Sequence, residues 1–78
     1  MTHRFLVRGQ ASPDLPLRLL NMFAQQDLCF DRVTIDRRAE GYDVQVDQEG
    51  LSADKASIIL EKMRMMVLVE SAVMHAIA

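Results

Sequence analysis

The chain has 78 residues, with nine Lys+Arg against eleven Asp+Glu and a formal net charge of −2, so it carries no basic field to neutralise a phosphate backbone and nucleic-acid binding is disfavoured. Half of the residues are hydrophobic and 26% are charged, the balance of a compact fold rather than a disordered tail, and this length supports one core only. The longest apolar run, Met65 to Val69, is far short of the roughly 20 residues that a membrane span requires.

In chain order, Arg4-Phe5-Leu6-Val7-Arg8, bounded by Gly9, reads as a first strand with Phe5 and Val7 on one face. Helical spacing follows from Leu15 to Gln26: Leu15, Leu19, Met22 and Phe23 share a stripe, and Arg18, Asn21 and Gln25 lie opposite. With Ser12 as N-cap, Pro16 would fall at the fourth helical position and delete a backbone bond. With Asp14 as N-cap it falls in the first turn and deletes nothing, so the cap is placed at Asp14.

Leu28 to Asp36 is apolar, with Phe30 on one parity and Val33 and Ile35 on the other, which predicts a second strand with a bulge or a late start. Arg37 to Gly41 is a polar turn whose glycine can take positive φ, and Tyr42 to Asp47 alternates strictly as a third, half-buried strand. A second helix begins after Gly50 with Ser52 as N-cap, Asp54 near the positive end of its dipole and Leu51 stapling onto Ala56. Ala56, Ile59, Leu60 and Met63 form its apolar stripe. Ile58 and Met65, seven residues apart, fall on the side expected to face solvent and are candidate partner-surface residues. Val67 to Ile77 reads as the last strand.

The order β-α-β-β-α-β gives an α+β, ferredoxin-like sandwich: a four-stranded antiparallel sheet with both helices on one face. In the usual strand order 4-1-3-2 of this arrangement the second and fourth strands are edges, which need cover or a partner. A chain this small buries only about 60 to 65 per cent of its unfolded surface, so a homodimer is expected.

Arg8, Arg32, Thr34, Asp43, Gln45 and Asp47 share the parity of the helix-free face, where mixed signs predict cross-strand ion pairs. Base stacking on that face is excluded, because there is no Trp and Tyr42 shares the parity of Val44 and Val46. The loop Gly9 to Pro13 has no thiol, so it lacks the Cys-x-x-Cys of metal-carrying relatives of this fold, and it has no Arg to serve as an acylphosphatase-type anion clamp. His3 and His75 fall near the ends of adjacent strands, but two imidazoles alone do not make a metal site. The single cysteine, Cys29, forms no internal disulfide and reads as a small buried apolar residue. Together with an N-terminus lacking a long apolar stretch, it predicts a cytoplasmic protein.

The carboxylates show no paired spacing, and no catalytic, phosphate-loop or zinc motif is present. No catalytic residue, metal or cofactor is therefore assigned. Met63, Met65, Met66 and Met74 read as core gap-fillers. One local site has a physical rationale: the turn Ala11, Ser12, Asp14, Leu15, where backbone N–H groups at a helix N-terminus could receive a ligand carboxylate.

Pro13 to Gln26, followed by Phe30-Asp31-Arg32-Val33-Thr34-Ile35, and more weakly Leu60 to Val67, resemble the ACT domain, and within it the short acetolactate synthase small (regulatory) subunit. The resemblance implies a regulatory, non-catalytic module and an eight-stranded sheet built from two domains. It also implies an amino acid such as valine near the first strand-to-helix turns, and contact with a large catalytic subunit that holds thiamine diphosphate, magnesium and FAD. No cofactor would belong to this chain. The family's Asn and Gly in the ligand turn are here Ala11 and Asp14, its glycine after the first helix is Asp27, and the Asp of its Val-Asp-Val segment is Leu68. The Asp14 carboxylate would repel a ligand carboxylate from the helix's positive end, so amino-acid feedback is expected to be weak or absent. The alternative is a stand-alone homodimeric ACT-like small-molecule sensor or protein-interaction module.

Overall fold

The computed structural model describes residues 1–77. The predicted periods are realised as β1 (Thr2–Gln10), α1 (Asp14–Gln25), β2 (Arg32–Arg37), β3 (Gly41–Glu49), α2 (Ala53–Arg64) and β4 (Val69–Ile77). All strand pairs are antiparallel, in the order β2-β3-β1-β4, so β2 and β4 are the edges. β1 and β3 extend beyond their expected ends, and β4 starts two residues later than expected.

Period-2 alternation places Phe5 and Val7 of β1, Val44 and Val46 of β3 and Ala72 of β4 on the buried face of the sheet. The apolar stripes of the helices close over them through Leu15, Leu19 and Phe23 of α1 and Ala56, Ile59 and Met63 of α2. The Phe5 and Phe23 rings meet edge to face at 5.8 Å, which ties α1 to the central strand.

The two helix starts differ. Ser52 caps α2 as expected, its Oγ accepting from Lys55 N at 3.1 Å. On α1 the expected Asp14 cap is corrected: Pro13 already has helical angles (φ −62°, ψ −18°), which moves Asp14 into the first helical position, and no side chain caps the helix. Pro16 still lies in the first turn, where a missing N–H deletes nothing.

Of the two expectations for Leu28 to Asp36, the late start holds and the bulge does not: β2 begins at Arg32, because the preceding residues close α1. Asp27 takes a left-handed φ of 60°, Asp27 N donates to Ala24 O at 3.0 Å and Leu28 N to Phe23 O at 3.0 Å, the paired bonds of a Schellman termination. Leu28 packs on the core and the Phe30 ring meets Phe23 edge to face at 6.1 Å. Cys29 between them is exposed, which corrects the expectation of a buried thiol.

Gly41 does not use positive φ; among the described glycines only Gly50 does, at 85°. Gly41 is required instead by close approach, since a Cβ there would collide with the Gly9 carbonyl oxygen. Met63 is buried and Met22, Met66 and Met74 pack against the core, but Met65 is exposed and fills no gap.

Candidate functional site

Three places can engage another molecule: the turn between β1 and α1, the open face of the sheet, and the outer side of α2. The turn is packed tightly. A Cβ at Gly9 would lie 2.5 Å from the Leu68 carbonyl oxygen and 2.7 Å from the Leu15 side chain, and Gln10 N donates to Leu68 O at 3.0 Å. The end of β1, the start of α1 and the approach to β4 thus meet at one point.

Three donors of this turn are already engaged. Ser12 N donates to Gln10 O at 2.8 Å, Leu15 N to Ser12 O at 3.1 Å and Asp14 N to Ser12 Oγ at 3.3 Å, while Pro13 and Pro16 have no N–H. Leu15 is fully buried in the core; Ala11 and Asp14 are exposed and Ser12 is half-buried. The expected row of free backbone donors is therefore not present at Ser12, Asp14 and Leu15, and the Asp14 carboxylate adds negative charge in the first turn of the helix.

On the open face, strand register brings opposite charges together. Arg4 faces Asp47 and Arg8 faces Asp43 across β1 and β3. Arg4 Nε and Nη2 reach the two Asp47 carboxylate oxygens at 2.9 and 3.1 Å. Asp43 Oδ1 accepts from Arg8 Nε at 3.0 Å and Arg38 Nε at 2.8 Å. The hydrogen bond from Arg4, opposed by burial, holds the Asp47 carboxyl below the usual carboxylate range. The hydrogen bond from Arg8, opposed by desolvation and aided by the charge of Arg38, does the same for Asp43. The predicted ion pairs are present, but Asp47 is only 7% exposed, so that end of the face is not simply solvated. Arg4 shares the parity of Arg8 and could have been recognised as the second cation of β1. Between the pairs a shallow hollow of about 330 Å³ lies over Leu6 and Val73, bordered by Thr34, Asp36, Gln45 and Ser71.

His3 and His75 do not pair. Arg4, not His3, is opposite His75, so the two imidazoles project from opposite faces; His3 is buried beside Gln48 and His75 is exposed. No group of His, Cys, Asp and Glu suited to a metal ion occurs among the described residues. On α2, Ile58 is 52% exposed and Met65, just past the helix end, is 81% exposed, both outside the core as expected. Among the described residues, no helix is long and apolar enough to cross a membrane.

A family model described as an ACT-like domain matches residues 1–78. The chain belongs to the ACT-like domain family. Its fold agrees with solved ACT domains. The crystal structure of the ACT domain from GTP pyrophosphokinase of Chlorobium tepidum superposes with a TM-score of 0.84 at 9% identity, over 96% of this chain and 97% of that one. The solution structure of the same domain gives 0.85 at 9% identity, over 100% and 89%. The C-terminal domain of the MgtC protein from Mycobacterium tuberculosis gives 0.72 at 7% identity, over 95% and 84%. These identities establish a shared fold alone. No curated protein sequence matches the chain. ACT domains are generally regulatory or ligand-binding modules, and they commonly dimerise.

Proposed function

We propose that this ACT-like chain is a non-catalytic, cytoplasmic regulatory subunit that acts by contact with a larger catalytic chain, and that its response to amino acids is weak or missing. The observation that carries this reading is the closed β1–α1 turn. Its Ser12, Asp14 and Leu15 N–H groups donate within the turn, and the Asp14 carboxylate places negative charge in the first turn of α1, which disfavours a ligand carboxylate there. Resemblance of the first helix and the following strand to the acetolactate synthase small subunit supports that synthase's large, thiamine-dependent subunit as the partner. The exposed Ile58 and Met65 supply the apolar contact surface.

The test is reconstitution of the purified chain with the acetolactate synthase large subunit. A stable complex and an altered turnover are expected, with Ile58→Lys weakening association at least tenfold while the fold is retained. If the large subunit neither binds the chain nor changes its rate, the subunit assignment fails. The second reading, a stand-alone homodimeric sensor, is favoured by a different observation: Ile35 on the β2 edge is 43% exposed on the side of the sheet that faces the helices, where a second copy would cover it.

A further inference from the structure

We propose that Arg64 is a gate on the β4 edge: its guanidinium occupies the backbone acceptor of Ala72 and so keeps the β4 strands of two copies from pairing. The inference is independent of the catalytic partner proposed above.

Backbone direction across the sheet identifies the free groups of β4. Arg38 N donates to its opposite residue, Gly41 O, at 2.7 Å, so odd-numbered residues of β3 turn their backbone groups toward β2 and even-numbered ones toward β1. Val44 is opposite Val7, and Leu6 is opposite Val73, which carries the alternation across β1. Val73 and its odd-numbered neighbours therefore bond β1, while Ala72, Met74 and Ala76 turn their N–H and C=O groups out of the sheet. The contact of Arg64 agrees with this phase, because its Nε donates to the Ala72 carbonyl oxygen at 3.1 Å from outside the ladder.

β4 otherwise lacks the devices that protect an edge strand. Its nine residues include no proline, lysine or arginine, and Glu70 and His75 are its only ionisable side chains. Its one register shift lies at its start, beside Arg8 and Gly9, and Val73 in its middle is 44% exposed. The opposite edge, β2, is six residues long and carries Arg32, Asp36 and Arg37. A groove of about 380 Å³ bordered by Arg64 and Val69 to Val73 lies along the β4 edge, and Arg64 is the helix residue that reaches across it.

The occupant that fits such an edge is the β4 strand of a second copy. Arranged antiparallel about Met74, each Met74 opposes the partner's Met74 and each Ala72 opposes the partner's Ala76, so every outward group of these residues meets one of opposite kind. Val73 then opposes the partner's His75 and Ser71 the partner's Ile77, and no like charges meet.

Arg64 closes this arrangement at both ends of the joined strands. With the Ala72 carbonyl oxygen already engaged, the N–H of the partner's Ala76 has no acceptor. Displacing the guanidinium is opposed by Glu61, whose Oε1 accepts from Arg64 Nη1 at 3.1 Å, and leaving it in place would desolvate a charge. A favourable charge at the end of α2 does not require this contact, since Lys62 lies in the same turn.

Sedimentation equilibrium of wild type, Arg64→Ala, Arg64→Met and each variant combined with Ala76→Pro tests the gate, with circular dichroism checking the fold. The Arg64 side chain is 47% exposed, so its replacement spares the core. Arg64→Met retains an apolar stem over the edge but no donor, and it decides the question if Arg64→Ala fails to fold. Ala76→Pro removes the outward N–H that would use the freed acceptor, and that N–H takes no part in the pairing with β1. Wild type is expected to stay at or below the mass of a dimer. Each single variant is expected to reach at least twice the wild-type average mass at the same concentration, and adding Ala76→Pro is expected to return it to the wild-type value. A folded variant that keeps the wild-type mass, growth that persists with Ala76→Pro, or a wild type that itself grows beyond a dimer each overturns the proposal.

Discussion

Arg4 and Asp47 stand opposite each other on the two central strands and are joined by two guanidinium–carboxylate hydrogen bonds of 2.9 and 3.1 Å. Arg8 and Asp43 repeat the arrangement four residues along but are more exposed. Burial decides which pair matters for stability. Asp47→Asn is expected to lower unfolding free energy by about 1 kcal/mol in urea denaturation, because the Arg4 guanidinium loses its charged partner where water cannot fully replace it. Arg8→Ala is expected to leave the urea midpoint within error of wild type, since exposed pairs contribute little.

The same carboxylates set the acid limb of stability. Both Asp43 and Asp47 are held below the ordinary carboxylate range in the fold, by the hydrogen bonds from Arg8 and Arg4 respectively. A depressed folded value means that their contribution is complete above the unfolded value of about pH 4 and is lost as pH falls below it. Urea midpoints should therefore be flat with respect to these groups from pH 7 to 5 and fall below about pH 4. Asp47→Asn should make that fall shallower.

Asp27 occupies the left-handed position that terminates α1. Glycine adopts this conformation freely, aspartate tolerates it, and alanine is penalised by its Cβ. Thermal unfolding of Asp27→Gly and Asp27→Ala should therefore differ by about 1 kcal/mol, with alanine the less stable.

Phe23 lies between Phe5 and Phe30 and is fully buried. Phe23→Ala is expected to cost about 3–5 kcal/mol, a large share of the roughly 5–15 kcal/mol available to a folded domain. Loss of cooperative unfolding in circular dichroism would report it.

Much of this fold was legible in hydrophobic period alone. The alternation around Phe5 and Val7, the stripe through Leu15, Leu19 and Phe23, and the Ser52 cap all stand where the spacing placed them. The parity switch allowed a late start of β2 but not its cause, because Leu28, Cys29 and Phe30 look like strand residues and the left-handed Asp27 that diverts them into helix closure carries no glycine signal. The N-cap of α1 was missed because Pro13 has a fixed φ compatible with the helix and so begins it one residue early. At the candidate site, residue types revealed the charge of Asp14 but not that Ser12 engages the neighbouring N–H groups, which depends on turn geometry. The buried end of the open face was likewise hidden, since parity placed Asp47 there without showing how far Arg4 covers it.

The central claim is that this ACT-like chain works by protein contact while its β1–α1 turn is closed to a ligand carboxylate. Titration calorimetry of the purified chain with valine, leucine and isoleucine tests it most directly. The account predicts no saturable heat for any of the three at millimolar concentration; a micromolar dissociation constant for one of them would contradict it.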